Sequence, residues 1–133
     1  MTPRVSDGEV VPDVEQDVLK LACVERHGRA GGVGVGLVSG FGLRAGALAS
    51  SVGHDHHNLM VVGTDDEDML AASDRLRQLG GGLVAVRDRA VLAELPLPLA
   101  GLITDQPLAD VKDALDALDA AAASLGNRLP SPF

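Results

Sequence analysis

The sequence predicts an α+β domain: a mixed, largely antiparallel sheet with two helices packed on one of its faces. Three observations carry that expectation. Apolar residues recur with a period near two over several short runs. Two later segments switch to a three-and-four spacing. Glycine, proline and acidic clusters punctuate the boundaries between them. The 133 residues fit one compact domain. Apolar residues make up 46% and aromatic residues 2%, so the core must be built from Val, Leu, Ala and Gly.

Residues 1–16 hold Pro3, Gly8, Pro12 and several acids, and read as a flexible leader to a domain over 17–133. "DVLKLACVERH" from Asp17 mixes apolar and polar residues with a period near two, which predicts a strand. "AGGVGVGLVSGFGL" predicts a second, with glycines on one parity that would let another backbone approach that face. "GALASSVG" and "NLMVVG" predict two more, separated by a loop rich in histidine. "TDDEDMLAASDRLRQLGGG" predicts the first helix. Thr64 and Glu67 have capping-box spacing, and Asp65, Asp66 and Asp68 suit the positive end of the helix dipole. Met69, Ala72, Leu76 and Leu79 form an apolar face, and Gly80 closes the helix. "GLVAVRD" and "AVLAELPLP" predict a hairpin turning at Asp88–Arg89. A second helix begins at Pro107, carries an apolar seam of Leu108, Val111, Leu115, Leu118, Ala122 and Leu125, and stops at Gly126. From residue 17 the expected order is β-β-β-β-α-β-β-α.

Charge and composition exclude several classes. A net charge of −8, a pI near 4.7 and no Trp or Tyr argue against nucleic-acid binding. No polybasic stretch favours an anionic membrane, and no apolar run reaches the roughly 20 residues of a spanning helix. The N-terminal stretch lacks the apolar core of a signal peptide. Cys23 stands alone, which excludes an intrachain disulfide and favours a reducing, cytoplasmic setting.

The candidate site is "SSVGHDHHN". His54, His56 and His57 are three of the four histidines, with Asp55 among them. A turn bringing His54 and His57 together with Asp55 could hold zinc, manganese or iron, since neutral imidazole and carboxylate suit those metals. The same residues would equally serve as a polar loop bonding its own backbone. Ser51 and Asn58 flank it. Glu25, Arg26 and His27 form a second polar cluster at a strand end, with Glu25 and His27 as secondary candidates beside His56. His54-Asp55-His56 matches by letter the H-x-H of metal-dependent hydrolase barrels, but a barrel needs about 250 residues and further ligands on later strands. "GGVGVG" lacks the GK[ST] and the strand–helix context of a phosphate loop.

The runs "DVLKLACVERHG", "GVGVGLVSGFGLRAGALASSVGHDHHNLMVVGTDDEDM", "LGGGLVAV" and "LAELPLPLAGLITDQP" together resemble the C-terminal domain of microbial adenine deaminase. The resemblance covers residues 17–133. It implies a part of an enzyme of the amidohydrolase group that hydrolyses adenine to hypoxanthine and ammonia. Its metal centre, manganese or iron, lies in an upstream barrel, and no barrel ligand maps onto this sequence. The portion that maps is the His54, Asp55, His57 and Asn58 signature. It implies a loop that binds metal or reaches into the purine pocket of an attached barrel. Two departures stand out: the family usually has serine where His56 stands, and alanine where Gly53 stands. The family also continues past "SPF", so the domain is expected to lack its last strand. The expected partners are a barrel-bearing chain or, in a stand-alone module, a second copy of this one through the leucine seam.

Overall fold

The computed structural model describes residues 2–28 and 31–133. A small hairpin of β1 (Arg4–Ser6) and β2 (Glu9–Val11) comes first, followed by a 3₁₀ turn at Val14–Gln16 that Asp13 caps. The main sheet uses β3 (Leu19–Val24), β4 (Val33–Val38), β5 (Ala47–Ser50), β6 (Leu59–Gly63), β7 (Gly82–Arg87) and β8 (Ala90–Pro96), with helices α1 (Asp66–Leu79) and α2 (Leu108–Ser124). The strand order is β4-β3-β6-β5-β7-β8. Class and element order agree with the sequence pattern, and the leader region contains the additional hairpin. Every neighbouring pair in the sheet is antiparallel, so the mixed component expected from sequence is absent among the described strands.

The expected placement of both helices on one face needs correction: they lie on opposite faces. Alternate residues of the central strands are apolar on both parities. Ala47, Ala49, Val61, Val84 and Val86 pack with Met69, Ala72 and Leu76 of α1. Leu48, Val62, Leu83 and Ala85 pack with Leu118, Ala122 and Leu125 of α2 on the other side. A strand buried on both faces has no polar parity, and it needs a cover on each. The result is a three-layer α/β/α arrangement.

Three local expectations shift for physical reasons. The cap of α1 is Asp65, whose carboxylate accepts from the Asp68 N–H at 2.8 Å; Thr64 Oγ1 instead donates to the Gly46 carbonyl. Asp68 does not reach back to the cap. Its buried carboxylate accepts from the N–H groups of Asp88 and Arg89 at 3.1 and 2.6 Å, holding the tight turn between β7 and β8 against the helix. In α2, Leu108 and Leu115 are exposed; the inward stripe runs through the partly buried Val111 and Ala114 to the buried Leu118, Ala122 and Leu125. Along β4, no atom of the described residues outside each glycine's chain neighbours lies within 4 Å of where side chains at Gly34 and Gly36 would begin, so no described backbone uses the approach those glycines allow. That strand is a sheet edge.

Candidate functional site

The histidine loop, residues 51–58, is the connection from β5 to β6. Its entrance is fixed by Ser51, which is fully buried. The Ser51 hydroxyl donates to the Gly101 carbonyl at 2.6 Å and accepts from the Gly82 N–H at 2.8 Å, while the Ser51 N–H donates to the Gly82 carbonyl at 3.0 Å. With its hydrogen-bonding capacity spent on backbone, Ser51 is a structural serine. The loop's exit is fixed through β3, which pairs with β6 so that Val24 lies opposite Leu59. That pairing brings the Glu25–His27 cluster beside Asn58.

Arg26 is the fastening. Its Nε donates to the His57 carbonyl at 2.6 Å, and another guanidinium nitrogen donates to the Ala100 carbonyl at 2.7 Å. His27 Nε2 lies 3.0 Å from the same His57 oxygen. The Arg26 N–H reaches Asn58 Oδ1 at 3.4 Å. One planar cation thus ties the histidine loop to the 99–103 loop, a geometry that suits a guanidinium far better than an ammonium. The charge-assisted bonds hold two non-glycine residues, His57 at φ +47° and Ala100 at φ +58°, in the left-handed region.

Within this frame the candidate residues take separate roles. His54 and Asp55 project into solvent, with side chains 96% and 88% exposed, and His54 Nδ1 stands 3.4 Å from Asp55 Oδ1. Asp55 is also left-handed, at φ +69°. His56 Nδ1 accepts from the Asn58 N–H at 3.0 Å. His57 turns inward, with a buried Nδ1 that has no hydrogen-bond partner among the described residues. Glu25 accepts from the Gly32 N–H at 3.2 Å. The structure therefore brings Glu25, His27, His57 and Asn58 into one neighbourhood, and separates the outward pair His54–Asp55 from the inward His57. The two departures from the resembled pattern are neighbours in space: a side chain at Gly53 would begin 2.8 Å from His56 Cε1, so alanine there would require the His56 ring to move.

Sequence reasoning grouped Arg26 with its neighbours without giving it a role, and missed the Gly81–Gly101 contact that underlies Ser51. The signal available was the triple glycine at 80–82 together with "LAGL".

His54 and Asp55 point outward while His57 turns inward, so these three donors do not converge on one point. Among the described residues no three His, Cys, Asp or Glu groups are placed to hold an ion. Zinc, manganese, iron(II) and nickel are each expected to move the thermal midpoint of this chain by less than about 1 °C, because a ligand stabilises only through binding the native state. A rise of several degrees that saturates with one of these metals would contradict that.

Fold and site define a small α+β domain of three layers that presents one conformationally strained histidine loop. The model of the family described as "Adenine deaminase C-terminal domain" matches residues 1–133. Adenine deaminase of Brucella anthropi is 53% identical over 130 residues, covering 98% of this chain and 23% of the relative. Adenine deaminase of Moorella thermoacetica is 53% identical over 133 residues, covering 100% and 22%. That of Gluconobacter oxydans is 55% identical over 126 residues, covering 95% and 22%. The chain belongs to the adenine deaminase C-terminal domain family, and it spans less than a quarter of the length of these relatives. No helix among the described residues is long and apolar enough to cross a membrane.

Proposed function

We propose that this chain serves as the C-terminal portion of an enzyme that hydrolyses adenine to hypoxanthine and ammonia, and that it carries no catalytic centre of its own. The observation that carries the reading is the match itself: about half of the residues are identical to adenine deaminases over nearly the whole chain, yet most of each relative lies outside the match. The loop geometry supports it, since the only strongly exposed members of the signature, His54 and Asp55, point away from the domain. In this reading the metal, manganese or iron, is held by the part of the enzyme outside this chain. The 51–58 loop is offered to the purine-binding side of that part, with Arg26 and Ser51 setting its shape. Free Cys23 fits a reducing, cytoplasmic compartment.

The test is adenine turnover by the purified chain, followed by ammonia release, with and without manganese or iron(II). None is expected under any of these conditions. Sustained, metal-dependent turnover by the chain alone would overturn the reading.

A further inference from the structure

The sheet is not covered evenly. On the α1 face, the helix lies over β5 to β8 and reaches β3 only through Ala22 and the Lys20–Asp66 pair, leaving β4 uncovered. The result is a groove of about 860 Å³ between α1 and the β4 edge. Its floor and walls are apolar, formed by Ala22, Val24, Val33, Val35, Leu59 and Leu70. Val33, Val35 and Leu70 are 59%, 65% and 64% exposed and open onto this one shared cavity. Its charged lining is balanced: Lys20, Arg26 and Arg77 stand against Glu25, Asp66 and Asp74, while the chain as a whole carries −8. Part of that balance is already satisfied internally, by the Lys20–Asp66 and Arg77–Asp74 ion pairs. One end of the groove is closed by Arg26, Ser51 and Gly81, the residues that fasten the histidine loop.

We infer that this groove is the seat for the catalytic portion of the enzyme, which packs onto Val33, Val35 and Leu70 and meets the 51–58 loop at the groove's end. The inference rests on the functional reading above. Three observations choose this occupant. More than three quarters of each relative's length lies outside the match, so a large neighbouring body exists in those enzymes. An apolar floor within a neutral, partly paired polar rim is the make-up of a protein interface, whereas a mostly acidic exterior is not. The groove is also continuous with the loop the family signature marks, so one docking event covers both. The β4 strand adds a reason for a cover: "VGVGLV" has no charge, proline or bulge, the devices that keep an open edge from pairing wrongly.

The test grafts this chain onto the Brucella anthropi enzyme in place of its own matching portion. Hydrogen exchange of β4 and the outer side of α1 is then compared between the graft and the isolated chain, together with adenine turnover. Val35→Asp and Leu70→Asp are the groove variants, and Val10→Asp on the distant hairpin is the control. Protection of β4 in the graft, and an on-the-order-of tenfold or greater loss of turnover with the groove variants but not the control, are expected. The isolated groove variants should unfold with the parent chain, since both residues are exposed there. An active graft whose β4 exchanges as fast as in the isolated chain overturns the seat and leaves the functional reading intact. An inactive graft with β4 protected supports the seat and counts against the functional reading. Concentration-dependent dimerisation of the isolated chain that protects β4 and is abolished by Val35→Asp would give the groove to a second copy instead, and overturn the inference.

Discussion

Gly81→Ala is expected to destabilise the chain by about 3 kcal/mol or more, lowering its thermal midpoint by roughly 10 °C. Gly81 sits at φ +120°, where a side chain is strained whatever the space. The space is also absent. An added Cβ would lie 2.4 Å from the Gly101 Cα and 2.9 Å from Ser51 Oγ, and the first of these is backbone that cannot swing aside. The cost would spread, because Gly81 joins three elements. Its N–H donates to the Leu76 carbonyl at the end of α1, its carbonyl accepts from Leu97 N–H beyond β8, and its Cα faces the 99–103 loop. Relief by shifting Gly101 would pull on the Ala100 carbonyl that Arg26 holds, and through Arg26 on His57. Denaturant unfolding of the purified variant checks this; a loss under about 1 kcal/mol would mean that the two loops separate freely.

Ser51→Ala is expected to cost about 2–3 kcal/mol, although it removes a single oxygen. That oxygen is fully buried and is shared by two backbone groups, the Gly82 N–H and the Gly101 carbonyl. Truncation strips both of this partner in a place where water does not reach, and unsatisfied buried groups carry the full cost of desolvation. Ser50→Ala is the matched control. Its hydroxyl serves only the local turn to Val52, and a change within about 0.5 kcal/mol is expected. Equal effects at the two positions would contradict the assignment of Ser51 as the entrance clamp of the loop.

The eight elements from Leu19 onward were legible because strand and helix periods are local properties. The two-face burial was also written in the sequence, in "GLVAV": a run with no polar parity requires a cover on both sides, and the opposite helices provide it. The cap of α1 was ambiguous by one residue, since Thr64 and Asp65 are both good caps; the bond from Thr64 to Gly46 decides it. The histidine loop was legible as a loop between strands. Its fastening was not. Arg26 meets His57 because β3 pairs with β6, passing over β4 and β5 in the chain, and it meets Ala100 because the 99–103 loop folds back beneath Gly81. Pairings between distant segments leave no periodic trace, so the inward turn of His57 and the outward pair His54–Asp55 could be assigned only from the structure.

The central claim is that this domain works in adenine hydrolysis only as part of a larger enzyme. Its most direct test is adenine turnover measured side by side for the isolated chain and for the graft carrying the rest of the Brucella anthropi enzyme, each with manganese or iron(II). No turnover by the isolated chain, and turnover by the graft within about tenfold of the parent enzyme, are the predicted results. Turnover by the isolated chain, or a folded, metal-loaded graft that leaves adenine untouched, would contradict the claim.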